Sequence, residues 1–159
     1  MTTQAVSGET PGLPDTAWVR FLRAHAALTR ELSSRLEAVH ELTLSDFDVL
    51  VQLYYAEGWR MRRIDLARSV LLTASGITRL LDGLEAGGLV AKERCDSDAR
   101  VTYAVLTKAG VRKMEEARES HLADIEELFG SRFSAQERDQ LAELLGRLPL
   151  AHTSEQCSV

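Results

Sequence analysis

Cysteine is scarce in this 159-residue chain. Cys95 and Cys157 make neither a disulfide framework nor a metal-ligand set, and they read as free thiols in a reducing compartment. Proline is rare too. Two of the three prolines precede residue 15 and the third is Pro149, so the helix breaker sits at the ends. No apolar run approaches the roughly 18 residues that a membrane-spanning helix needs. The first fourteen residues lack a basic patch followed by an apolar stretch, so no secretory signal is expected and the chain reads as cytoplasmic. His25, His40, His121 and His152 have no ligand spacing between them. There is no nucleophile–base arrangement, no phosphate loop and no metal set. Neither an enzyme nor a cofactor is expected.

What is present points elsewhere. Hydrophobic residues make up 45% of the chain, enough for the core of one domain with an oligomerisation arm. The net charge of −5 hides an uneven distribution. From Trp59 to Lys113 there are 11 Lys and Arg against 6 Asp and Glu, a net of +5. The remainder has 8 against 18, a net of −10. A basic middle between acidic ends is the footprint of a chain whose middle meets phosphate.

That middle is organised around residues 73–105. Ile77, Leu80, Leu81 and Leu84 fall at helical spacing, with Ser75, Thr78, Arg79 and Asp82 opposite. Thr73 is placed to cap this helix and Gly87-Gly88 to stop it. A β-hairpin with a charged tip follows, with strands at 89–94 and 101–105. Another short helix, about Arg62–Ser69 with Ile64, Leu66 and Ala67 as its apolar side, precedes it across a brief link. Two short helices so joined, then a hairpin with a charged tip, spell a winged helix-turn-helix. The fold class is mainly α with a small β-wing.

Residues 1–14 read as a disordered leader. A long helix over about 15–40, capped by Asp15 or Thr16, carries Phe21, His25, Leu28, Leu32, Leu36 and Val39 as one stripe. Thr43-Leu-Ser-Asp46 has capping-box spacing and opens a helix that buries Phe47, Leu50, Val51 and Tyr54 and ends at Gly58. Trp59-Arg60-Met61 is expected to add a one-bridge strand to the wing. Thr107 caps a fifth helix of about 22 residues, striped by Val111, Met114, Ala117, Leu122, Ile125, Leu128 and Phe129 and stopped by Gly130. A capping box at Ser134–Glu137 starts a last helix with Leu141, Leu144, Leu145 and Leu148, ended by Pro149 before a frayed tail, 149–159. The domain therefore spans 15–148, with a DNA-binding lobe at about 44–106. Its end helices, about 15–40 and 107–148, carry more apolar surface than one small lobe needs and are expected to form a two-fold homodimer.

Several runs resemble one family in order and spacing. Leu42-Thr-Leu-Ser-Asp-Phe-Asp-Val-Leu50, Arg60-Met61 with Asp65-Leu-Ala67, and Thr73-Ala-Ser-Gly-Ile-Thr-Arg-Leu80 with Leu84-Glu85 and Gly88-Leu-Val90 are similar to segments of MarR-type regulators. So are Asp98-Ala-Arg100 and Val105-Leu-Thr-Lys-Ala-Gly110, and the likeness covers about residues 15–148. The resemblance implies a homodimer on a pseudo-palindromic double-stranded DNA operator, with one helix in each major groove and each wing in a flanking minor groove. It implies a repressor released by a small aromatic or phenolic ligand.

By this resemblance, Ser75, Thr78 and Arg79 match positions that meet DNA. Arg79 can pair bidentately with guanine, a contact worth roughly 1–3 kcal/mol of discrimination. Thr73 and Ser75 serve phosphate or base edges. Arg100 matches the wing-tip arginine of a narrow A·T-rich minor groove, and Asp98 is placed to hold its guanidinium. Arg62 and Arg63 depart from the usual Ser or Thr cap; they either reach phosphates or extend into solvent. Cys95 lies at the wing base, whereas oxidant-sensing relatives place theirs in the first helix, so a structural thiol is favoured. The implied ligand cleft lies where the dimerisation helices meet the lobe. Trp18, Phe21, His25, Asp48 and Tyr54 are its candidate lining, with plain core packing as the alternative. Asp48 resembles an acidic position of urate-type relatives, but Trp18 begins the first long helix rather than an extra one, and urate is not assigned. A protein–protein module without DNA binding is the competing function, and the concentrated positive charge argues against it.

Overall fold

The structure, a computed structural model, describes residues 17–70, 74–95, 98 and 100–148. Its elements in chain order are α1 (Ala17–His40), α2 (Leu44–Tyr55), β1 (Arg60–Arg62), α3 (Arg63–Ser69), α4 (Ala74–Ala86), β2 (Val90–Arg94), β3 (Thr102–Leu106), α5 (Lys108–Leu128) and α6 (Ala135–Gly146). The fold is mainly helical, with one three-stranded antiparallel sheet ordered β1-β3-β2. The leader, the tail with Pro149, the Asp15 or Thr16 cap and the Thr73 cap lie outside the described residues.

Side-chain caps set three helix starts. Thr43 Oγ1 accepts from the Asp46 amide at 3.1 Å, and Asp46 accepts from the Thr43 amide at 2.9 Å. Ser134 and Glu137 repeat that reciprocal box at the start of α6. Thr107 Oγ1 accepts from the Gly110 amide at 3.0 Å. Each pairing satisfies amides that the first turn leaves without helical partners. At the end of α4, Gly88 takes φ +72°, and the Leu89 amide returns to the Leu84 carbonyl at 2.9 Å. That left-handed turn aims the chain directly into β2.

The core gathers on α2. Phe47, Val49, Leu50 and Leu53 are buried against Leu66 of α3, Ile77 and Leu81 of α4, Ala104 of β3 and Met114 of α5. Val51 and Tyr54 are only partly buried. β1 is longer than the expected single bridge, because all three residues pair with β3, from Arg60 opposite Val105 to Arg62 opposite Tyr103.

Of the α1 stripe only Leu36 is buried within one chain, while Phe21 is 39% and Val39 69% exposed. The first turns of α1 are mostly exposed among the described residues, and α6 buries none of its residues. Three expectations need correction. Ile64 is 60% exposed, because α3 turns Leu66 and Ala67 inward and leaves its first turn at the surface. In α5 the buried face runs Gly110, Met114, Ala117, His121, so Leu122 sits off it. Finally, α2 ends at Tyr55 and α5 at Leu128; Gly58 and buried Gly130 lie in the short 3-10 turns beyond, rather than at the stops.

Candidate nucleic-acid interface

The helix α4 has two distinct sides. Ile77, Leu81 and Leu84 are buried, while Ser75, Arg79 and Asp82 are exposed and Thr78 is half-buried. Spacings of three and four residues put Ser75, Thr78, Arg79 and Asp82 on one face. No hydrogen bond or ion pair engages the Arg79 guanidinium among the described residues. Thr73 lies outside them. The same face carries a carboxylate that is not free: Lys92 of β2 pairs with Asp82 and, at 2.9 Å, with Glu85. Those two hydrogen bonds, Asp82's first, raise the Lys92 pKa above its ordinary value.

The wing is built from β2 and β3, paired from Val90 opposite Leu106 to Arg94 opposite Thr102. Strand alternation sends Val90, Lys92, Ala104 and Leu106 toward the helices, and Ala91, Glu93, Tyr103 and Val105 to the other side. At the tip, Asp98 Oδ1 accepts from the backbone amide of Arg100 at 3.0 Å. The Val101 amide then bonds to the Asp98 carbonyl at 2.9 Å. Asp98 thus shapes the turn rather than gripping the Arg100 guanidinium, and Arg100 stands exposed.

Arg62 and Arg63 part company. Arg62 ends β1 in register with Tyr103, whose side chain raises the Arg62 pKa above its ordinary value. Arg60 covers the same ring at 4.6 Å and lies 3.8 Å from Glu93. Arg62 and Arg60 therefore brace the outer face of the wing sheet. Arg63 begins α3 and is half-buried. Cys95, also half-buried, follows β2 near Arg62.

A separate cleft of about 750 Å³ opens between α1, α2 and α5. His25, Arg30, Phe47, Asp48 and His121 are among its lining residues. It unites two of the five candidate ligand residues, His25 and Asp48. Trp18 and Phe21 lie beyond it on exposed α1, in a ring-to-ring series that continues to His25. Tyr54 instead stacks on Trp59 and bonds Glu115 through its hydroxyl at 3.3 Å. His25 is exposed rather than a core histidine. Burial raises the Asp48 carboxyl above its usual range, against a hydrogen bond from Gln52 that lowers it. His121 packs edge-on against Phe47 at 4.8 Å, and its buried Nδ1 has no hydrogen-bond partner among the described residues. Desolvation lowers its pKa. Periodicity over apolar residues alone passes over His121, although it lies four residues after Ala117. Strand alternation and the Asp82–Glu85 spacing carry the only signal for Lys92. No group of three or more His, Cys, Asp or Glu among the described residues is placed to hold a metal, and none of their helices is long and apolar enough to cross a membrane.

The MarR family model matches residues 42–102, from the entry to α2 through the start of β3. The crystal structure of AbsC, a MarR family transcriptional regulator from Streptomyces coelicolor, superposes with a TM-score of 0.77 at 30% identity over 91% of this chain and 93% of that one. The chain belongs to the MarR family. The transcriptional regulator MhqR of Bacillus subtilis is 28% identical over 128 residues, 80% of this chain and 86% of its own. Sco3205 of Streptomyces coelicolor, a MarR family regulator solved in complex with DNA, shares the fold with a TM-score of 0.77 at 24% identity, covering 80% of each chain. Membership makes this MarR-family chain a DNA-binding transcription regulator and not an enzyme.

Proposed function

We propose that two copies of this chain form a two-fold dimer that represses transcription by occupying a pseudo-palindromic operator, and that a small aromatic or phenolic ligand releases it. The observation that carries the DNA reading is Arg79, exposed on α4 beside Ser75 and Thr78 and without a hydrogen bond or ion pair among the described residues. Such a guanidinium is free to fork onto guanine O6 and N7. Thr73 joins that contact set by its place in the sequence. The wing sets exposed Arg100 beyond a turn shaped by Asp98, for the flanking minor groove. Arg63 is assigned to phosphate, and Arg62 to bracing Tyr103.

Uncovered apolar residues support the dimer. Trp18, Phe21 and Leu22 on α1, Leu122 on α5 and Leu144 and Leu148 around α6 are all exposed in the single chain. Paired about a two-fold axis, these helices would bury that surface and space two α4 helices for successive major grooves, about 34 Å apart. Repression follows from occupancy, since a promoter covered by the dimer is closed to polymerase. The ligand is assigned to the cleft, where Phe47 offers an aromatic face and Asp48 a carboxylate, with His25 at its α1 side. A ligand seated among α1, α2 and α5 touches both the dimerisation helices and the lobe, and so can change the spacing between the two α4 helices.

Selection from a pool of random duplexes tests the reading. An enriched inverted repeat with half-sites about one helical turn apart is expected. A pool that stays random after repeated rounds contradicts it. Titrating phenols and aromatic acids into the selected complex then tests release.

A further inference from the structure

We propose that Lys92 is a positioning residue for DNA reading: clamped on Asp82 and Glu85, it masks the negative charge of α4 and fixes that helix against the wing. The inference rests on α4 being the helix that enters the groove.

Asp82 stands three residues after Arg79 and four after Thr78, on the same exposed face. A bare carboxylate there would confront the phosphates that flank the groove. Asp82 and Glu85 are the only acidic residues of α4, and both converge on one ammonium. Arg79 is the helix's one basic residue, so α4 alone carries a net −1. Adding Lys92 brings the unit to zero, leaving Arg79 as its unmasked charge.

The clamp also has a mechanical side. Lys92 sits on the helix-facing side of β2, between buried Val90 and Arg94, and pairs in register with Ala104. Its side chain crosses from the sheet to the last two turns of α4. The strand that carries it leads to the wing tip. One ammonium thus ties the element bearing Arg79 to the element bearing Arg100, and one duplex can meet both only at a fixed relative angle.

The test is a set of full-length variants measured by anisotropy on the selected operator, with Arg79→Ala as a reference and thermal melting as a folding control. Lys92→Met is expected to weaken binding about tenfold, because it uncovers a carboxylate facing phosphate. Lys92→Arg is expected to bind within about twofold of wild type, since it can keep the pairs. The decisive variant is Lys92→Met with Asp82→Asn, which is expected to regain most of the lost affinity although the lysine is still missing. If the double variant stays as weak as Lys92→Met, Lys92 touches phosphate itself and the masking role is overturned. If Lys92→Met binds like wild type while Arg79→Ala binds weakly, the clamp is irrelevant and the proposal fails alone. If Arg79→Ala also binds like wild type, the reading of α4 fails, and the clamp's role fails with it.

Discussion

Arg79 stands exposed on α4 without a partner among the described residues, so its removal tests recognition with little effect on folding. Arg79→Ala is expected to lose about 1–3 kcal/mol of operator discrimination and to relax preference at one base pair, read by anisotropy on single-base variants of the operator. Equal preference at every position would remove Arg79 from base readout. Arg100→Ala is expected to lower the slope of log affinity against log salt by about one, as loss of one phosphate-side cation requires. His121 gives a pH prediction. Burial favours its neutral form, so its folded pKa lies below the unfolded one, and the unfolded chain binds more protons between the two. Its contribution to stability is complete above about pH 6.5, the unfolded value, and declines as pH falls toward the folded value. Urea midpoints of wild type should drop over that window, and those of His121→Phe should drop less. Asp48 has the opposite sign: its raised pKa opposes folding once it ionises, so Asp48→Asn should melt higher than wild type at neutral pH. Residues of this kind differ in how legible they are. Arg79 and Arg100 show in the sequence because charged residues on a patterned helix or at a hairpin tip must face outward. The orphaned Nδ1 of His121 and the clamp on Lys92 depend on contacts between separate elements, which no local pattern encodes.

Among the elements, those with local punctuation were legible to within a residue or two. Both capping boxes form, Thr107 caps α5, and Gly88 ends α4 in a left-handed turn. The stripe of α1 marks the limit of such a reading: periodicity shows that a face is apolar, and cannot show whether its partner is in the same chain. Where α1 does meet its own chain, Arg35 hydrogen-bonds Asp124 and Glu127 of α5 as well as Glu31. These bonds raise the Arg35 pKa, that to Glu127 most. Arg35→Ala should loosen the α1–α5 contact and leave three carboxylates clustered, lowering the melting temperature more at low salt than at high. Gly110 makes a sharper case, because Ala is ordinarily the better helix former by about 1 kcal/mol. Here an added Cβ would stand 2.1 Å from the Leu89 carbonyl oxygen and 2.7 Å from Leu106 Cδ1. Gly110→Ala is therefore expected to destabilise by about 1–3 kcal/mol, read as a lower urea midpoint. An unchanged or higher midpoint would show that α5 does not press on the α4–β2 turn.

At the scale of the whole molecule, charge and apolar surface divide the labour. The basic middle holds α4 and the wing, and the acidic remainder holds α1, most of α5 and α6. Exposed apolar residues crowd those end helices, and a dimer is the arrangement proposed to bury them. Leu144→Asp, at a residue 54% exposed in the single chain, is expected to yield monomers in sedimentation and to weaken operator binding with them. Dimers that persist in that variant would place the interface elsewhere. The central claim is that the α4–wing face reads duplex sequence, and it is tested most directly by anisotropy of the wild-type protein on the selected operator and a shuffled duplex over a salt series. A preference of at least about a thousandfold for the operator is expected, with a steep fall of affinity with salt on both duplexes. Equal affinity for the two duplexes at every salt concentration would contradict it.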